Sequence, residues 1–254
     1  MTHISKEIIK TEERTDGIRL NKFLADAGIC SRREADRLIE GGLVFVDGKK
    51  AETGQRVFGN NIVEYKGKEV KQDNNLIIIA FNKPAGIECT TDLNNPDNII
   101  SFISYPSRIF PIGRLDKDST GLILLTNTGD ISDKILRSAN RHEKEYEVSV
   151  DKAITKEFLK SMSEGVEIEL KDGTEKRVTD KCRITATGKC TFNIVLTQGL
   201  NRQIRRMCDA LGYKVISLKR VRIMNVNLGN LNEGHFRRLS EAEIKRLVKD
   251  INGD

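Results

Sequence analysis

Arg114, Asp116, Asp118 and Ser119 fall within a six-residue span directly ahead of the apolar run Leu122 to Leu125. A short continuous apolar run reads as a buried strand, so the polar group must occupy the loop that feeds it. Loops held by rigid strands are where catalytic side chains concentrate, and an aspartate in such a loop can serve as nucleophile or as base. Asp, Ser and Gly are also ordinary turn residues, and Asp118-Ser119-Thr120-Gly121 read alone describes a turn equally well.

A second constellation lies between Gly199 and Arg222, where seven basic residues (Arg202, Arg205, Arg206, Lys214, Lys219, Arg220, Arg222) accompany one acidic residue, Asp209. That segment alone matches the formal +6 of the whole chain. Such a concentration favours a polyanionic partner, although a solvated basic face has the same composition. Asn201 is placed to cap a helix whose stripe is Ile204, Met207, Cys208 and Leu211, ended by Gly212. Arg202, Arg205 and Arg206 share another face of it at the three-and-four spacing.

The elements that must hold these residues form two groups. At 254 residues the chain can bury a proper core in a small domain plus a medium one. In the first group Leu20, Phe23, Leu24 and Ala27 make one helical face ended by Gly28. Ser31-Arg32-Arg33-Glu34 opens a second helix as a capping box, with Ala35, Leu38 and Ile39 as its buried stripe. Leu43 to Val46 reads as a strand, and Asp47-Gly48 signals a hairpin. The expected domains are a flexible N-terminus over 1–16, a small module over 17–64, a polar linker over 65–75 and a large unit over 76–254. In the large unit Leu76–Phe81, Glu145–Val150, Cys182–Ala186 and Phe192–Thr197 read as strands, and Lys156–Ser163 and Glu241–Ile251 as helices. The mixture, without a Gly-x-Gly-x-x-Gly turn, favours an α+β fold. No apolar run approaches a membrane span and the N-terminus lacks a signal-peptide core, so a cytoplasmic protein is expected. Five scattered cysteines without a Cys-x-x-Cys pair predict reduced thiols and no metal.

The string Gly113-Arg114-Leu115-Asp116 followed by Ser119-Thr120-Gly121-Leu122 resembles the catalytic signature of the pseudouridine synthases. Asn82-Lys83-Pro84-Ala85-Gly86 resembles that family's Lys-Pro-x-Gly motif. Lys144-Glu145-Tyr146-Glu147-Val148 resembles the strand that carries its active-site tyrosine, and Asn201-Arg202-Gln203-Ile204-Arg205-Arg206-Met207 its Gln-Ile-Arg motif. Residues 18–64 resemble the S4 RNA-binding domain. S4 followed by Gly-Arg-Leu-Asp is similar to the RsuA-type branch, which modifies ribosomal RNA, and within it to a subgroup acting on 23S ribosomal RNA near the peptidyl transferase centre. Thr128 stands where many relatives place Asp, which bears on the subgroup rather than on catalysis.

The resemblance implies an α+β chain, an S4 domain of two helices plus a small sheet followed by a mixed, mainly antiparallel catalytic domain. It implies isomerisation of uridine to pseudouridine with Asp116, Tyr146 and Arg205 as catalytic residues, Arg205 pairing with Asp116. Arg114 would fill the space left by a flipped base. Lys83, Arg202, Arg206, Lys22, Arg32, Arg33 and Arg37 would contact RNA. The reaction involves no redox change and no group loss, so neither cofactor nor metal is expected. Partners implied are large-subunit ribosomal RNA, a pre-ribosomal particle or transfer RNA, with a monomer as default. Two other readings stay open at this point. An S4 module is also used for binding alone, in ribosome assembly. Asp116-x-Asp118-x-Thr120 also fits the aspartate-nucleophile phosphatases, although there the strong apolar strand precedes the motif.

Overall fold

The computed structural model describes residues 4–9, 16–137, 141–170 and 175–252. The chain divides into two compact units. The first gathers residues up to Ile77 with Tyr105–Ile109 and Thr126–Ile131, and the second holds the remainder.

In the first unit β1 (Ile18–Arg19), α1 (Leu20–Asp26) and α2 (Arg32–Glu40) precede β2 (Val44–Val46), β3 (Lys49–Lys50), β4 (Arg56–Val57), β5 (Val63–Tyr65) and β6 (Lys68–Glu69). The Ser31 hydroxyl accepts from the Glu34 amide at 3.2 Å and so starts α2. The Glu34 carboxylate pairs with Arg37 at 3.1 Å rather than returning to the cap. Leu20, Leu24, Ala35 and Ile39 from the helices bury against Val44, Val46, Val57 and Val63. The sheet runs β3-β2-β5-β6, antiparallel throughout. Asp47 and Gly48 both have positive φ, the backbone a two-residue hairpin turn demands.

Two boundaries differ from expectation. The polar stretch after residue 64 is not all linker, because Lys66 and Gly67 take positive φ and close a second hairpin that adds β6 to the sheet. Val70 then joins the core. Residues 4–9 of the expected flexible N-terminus are docked: Leu76 N donates to Ile4 O and Lys6 N to Asn74 O, both at 2.7 Å. Ile9 is buried. Residues 1–3 and 10–15 lie outside the described ones.

The second unit is built on β7 (Ile78–Lys83), α3 (Ile99–Ile103), β8 (Phe110–Pro111), β9 (Thr120–Thr126), α4 (Gly129–Leu136), β10 (Lys144–Val150), α5 (Lys156–Glu164), β11 (Glu167–Leu170) and β12 (Glu175–Val178). It continues with β13 (Arg183–Ala186), β14 (Thr191–Leu196), α6 (Gln203–Ala210), β15 (Val215–Ile223), β16 (Val226–Asn227), β17 (Phe236–Arg238) and α7 (Glu241–Asn252). Its main sheet has the order β13-β14-β10-β15-β9-β7-β17. β10 pairs antiparallel with both β14 and β15, while β15 runs parallel to β9. That parallel contact requires Gly121: its φ is +99°, and a Cβ there would meet the Arg220 carbonyl oxygen at 2.3 Å.

Val148, Val150, Phe192 and Ile194 from the sheet pack against Phe158 and Met162 of α5 and Ile204, Met207 and Cys208 of α6. Apolar residues at helical spacing thus fix α6 to the face of the sheet. Asn201 is not its cap. Arg202 occupies that position in the left-handed region with no side-chain cap bond. The turn is closed instead by Gln203, whose Oε1 accepts from Leu200 N at 3.1 Å. Among the described residues no helix is long and apolar enough to cross a membrane.

Candidate active site

The loop from Gly113 to Ser119 is held from several sides of the second unit. Ile112 N donates to Leu124 O at 2.7 Å, Ser119 N to Asp116 O at 3.1 Å, and Gly86 N to Lys117 O at 2.8 Å. The Cys89 thiol donates to Leu115 O at 3.3 Å and accepts from Leu115 N at 3.4 Å. Lys117 is tied outward to Asp97 at 2.7 Å. The backbones of Leu115, Asp116, Lys117 and Ser119 are therefore anchored, which holds the loop that carries the Asp116 carboxylate.

Lys83 belongs to this scaffold and not to an RNA surface. Its side chain is 0% exposed, and Nζ donates to the carbonyls of Pro84 at 2.7 Å, Ile87 at 2.8 Å and Lys117 at 3.3 Å. Burial lowers its pKa from the ordinary lysine value. The resemblance to the Lys-Pro-x-Gly motif placed it at RNA. The adjoining strand draws it inside.

Asp116 lines a cleft of about 450 Å³. Among the described residues around it, Arg114, Arg137, Lys144, Arg202, Arg205 and Arg220 are cations, and Asp116 is the lone carboxylate. The cleft is strongly electropositive, as a site for a polyanion should be. Arg114 is exposed at its wall. Tyr146 is partly buried on β10, with Val148 and Val150 following on the same face.

The cation expected beside Asp116 is a different one. Arg202 Nη1 lies 3.7 Å from Asp116 Oδ2 and also forms a two-pronged pair with Asp118 at 3.2 Å. Arg205, with a side chain only 12% exposed, reaches Asp118 Oδ2 at 3.3 Å and Ser119 Oγ at 3.3 Å. The two carboxylates are one turn of loop apart, and sequence spacing cannot decide which takes which guanidinium. Burial works to raise the Asp118 pKa, but the hydrogen bond from Arg202 and the charges of Arg205 and Arg202 outweigh it and hold the carboxyl below its ordinary value. Arg206 lies outside the cleft, bonded to Glu169 O and to Asn201 Oδ1 at 3.3 Å.

Arg220 and Lys144 are residues of the site that the sequence reading did not single out. A register shift between Glu145 and Tyr146 sets Tyr146 opposite Arg220 on β15. Such bulges re-aim side chains near functional sites. The Arg220 guanidinium lies 6.0 Å from the Tyr146 ring centre. Burial lowers the pKa of Lys144, and the nearby Arg220 charge adds to the shift. The basic segment and the residue before the tyrosine strand were visible signals, but the bulge that brings them together was not.

In the first unit Arg32, Arg33 and Arg37 are exposed on α2, and among the described residues only Arg37 of the three pairs with a carboxylate, that of Glu34. Lys22 is not available to a phosphate. It is 9% exposed, bonded to Asp26, with Nζ 3.1 Å from Asp130. The start of α4, which carries Asp130, covers Lys22 there.

A helical module with an exposed basic helix, followed by a mainly antiparallel α+β unit with an aspartate in a cationic cleft, describes an enzyme that acts on RNA. The comparisons make the class definite. A family model described as RNA pseudouridylate synthase matches residues 77–210, and the S4 domain model matches 18–63. The chain is 52% identical over 237 residues to the dual-specificity RNA pseudouridine synthase RluF of Salmonella typhi, covering 92% of this chain and 80% of that protein. It is 36% identical to ribosomal large subunit pseudouridine synthase B of Bacillus subtilis, covering 90% and 95%. A crystal structure of a pseudouridylate synthase superposes with a TM-score of 0.67 at 28% identity, covering 91% of this chain and 100% of that one. The chain belongs to the RNA pseudouridylate synthase family, in its RsuA-type branch, and is an isomerase.

Proposed function

We propose that the chain isomerises a specific uridine of 23S ribosomal RNA near the peptidyl transferase centre, with Asp116 as the group that acts on the ribose. The observation that carries this reading is Asp116 as, among the described residues, the one carboxylate lining a cleft otherwise charged by arginine and lysine. Attack at C1′ and proton abstraction at C2′ both start from a carboxylate oxygen of Asp116. Arg202 lies 3.7 Å from that carboxylate, and Arg205 holds the neighbouring Asp118 and Ser119 in place.

A stacked uridine is out of reach and must be flipped, at about a few kcal/mol for unstacking and unpairing. Arg114 occupies the vacated space, Tyr146 stacks on the base and handles the proton leaving C5, and Arg32, Arg33 and Arg37 hold phosphates without reading sequence. The enzyme works as a monomer in the cytoplasm on ribosomal RNA or a pre-ribosomal particle. The dual-specificity name of the Salmonella typhi relative supports a second RNA substrate, for which transfer RNA is the candidate.

The test is a map of carbodiimide-dependent reverse-transcription stops in ribosomal RNA from cells with the wild-type protein, with Asp116→Asn, and with none. One or a few large-subunit stops lost in both mutant strains and restored by wild type is the expected outcome. An unchanged map would overturn the 23S assignment.

A further inference from the structure

Arg220 is 4% exposed, yet it has no carboxylate partner among the described residues. Its Nε donates to Leu122 O at 2.7 Å and its Nη1 to Arg114 O at 3.4 Å, while Nη2 is buried with no hydrogen-bond partner among the described residues. Carbonyl oxygens satisfy donors but leave the charge uncompensated, and an isolated charge out of water is costly unless something answers it. Among the described residues the one carboxylate lining the cleft, Asp116, already faces Arg202. Lys144 adds a second charge of the same sign nearby, its pKa lowered first by burial and then by the Arg220 charge.

We propose that Arg220 is the fixed cation that balances the negative charge appearing on uracil when its bond to the ribose breaks. The inference rests on the pseudouridine synthase reading of the cleft. Its location favours the base over a backbone phosphate. Arg220 lies directly across the strand pair from Tyr146 and beside its ring, and unlike the exposed Arg114 and Arg202 it is buried.

In the step concerned, the C1′–N1 bond breaks and its electron pair stays with the base, spread over N1, O2 and O4. On the ribose, an Asp116 oxygen bonds to C1′, or Asp116 takes the C2′ proton as a C1′–C2′ double bond forms. After the base turns, C5 gives a pair to C1′, and Asp116 departs from C1′ or returns its proton to C2′. The C5 proton passes to N1. Atoms and charge balance, and in both routes the anion exists only between the two bond changes. A preorganised cation present at that moment acts on the transition state more than on bound substrate.

The test uses full-length protein and a stem-loop carrying the target as uridine or as 5-fluorouridine, with single-turnover loss of the target nucleoside and RNA affinity both measured. Arg220→Gln should slow uridine loss by roughly 10²- to 10³-fold, the range for removing one fixed donor to a developing anion, with affinity and salt dependence unchanged. Arg220→Lys, which keeps the charge but not the two carbonyl bonds, should recover at least about tenfold of that. Fluorine stabilises the uracil anion, so both deficits should shrink on 5-fluorouridine. If the glutamine variant melts early, the lysine variant on the two substrates carries the comparison. Equal losses in both variants, the same on both substrates, would reduce Arg220 to packing and overturn the proposal. Weaker binding with a smaller salt slope would overturn it in favour of a phosphate contact. A wild-type protein that turned over neither substrate would instead count against the function proposed for the cleft.

Discussion

On α2 of the first unit, Arg32, Arg33 and Arg37 stand exposed, whereas in the second unit Arg205 is held at 12% side-chain exposure against Asp118 and Arg220 at 4% against two carbonyls. Exposed guanidinium groups move with little cost and are screened within about 10 Å at ordinary salt, so they supply affinity for any phosphate chain. Buried ones are immobile and unscreened, so they act on a single neighbouring group. The same residue type therefore does two jobs, and the surrounding packing decides which.

That contrast predicts a hierarchy of effects. Asp116→Asn should remove activity by roughly 10³-fold or more, the scale of a lost acid–base or nucleophilic group, while RNA affinity and its salt slope stay at wild type in a filter-binding titration. Arg205→Ala leaves Asp118 without one of its two cations and should lower single-turnover rates about ten- to a hundredfold, with a much smaller change in affinity. A larger loss of affinity than of rate would break the contrast. Arg114→Ala should slow turnover of a structured stem-loop by about tenfold while a short unstructured RNA loses less, because only the stacked base must be flipped. Equal wild-type rates on both would remove Arg114 from flipping. Arg33→Ala should weaken binding a few-fold and lower the salt slope by roughly one without touching the rate at saturation.

The smallest effect concerns acid. Asp118 has a folded-state pKa below its unfolded one, so its pairing stabilises the protein above about pH 4 and that contribution fades as pH falls through the folded value. Asp118→Asn should therefore be slightly less stable than wild type at neutral pH, by less than about 1 kcal/mol because the carboxylate is half exposed and screened. The difference should close in denaturant titrations carried into acid. A gap that widened in acid would contradict the pairing.

Much of the frame was legible because it depends on local periodicity. The stripes of α1, α2 and α6, the Ser31 cap, the Asp47-Gly48 hairpin and the strand after Asp116 all follow from neighbours a few residues apart. The motifs also brought Asp116, Tyr146, Arg205, Arg202 and Arg114 to one cleft. What escaped depends on partners far away in the chain. Lys22 was assigned to a phosphate, but Asp130, 108 residues on, takes it. Lys83 was assigned to RNA, but Lys117 O accepts from it across 34 residues. Arg205 chose Asp118 over Asp116 because Arg202, in a left-handed conformation that no capping rule anticipates, comes closer to Asp116. Arg220 was counted for its charge alone, since its neighbourhood with Tyr146 arises from a bulge.

The most direct test of the account is single-turnover formation of pseudouridine in a purified 23S-derived stem-loop by wild-type protein and by Asp116→Asn, with binding measured on the same samples. The account predicts conversion by wild type and, for the variant, equal affinity with no pseudouridine formed. Pseudouridine appearing at the wild-type rate with Asp116→Asn would contradict it.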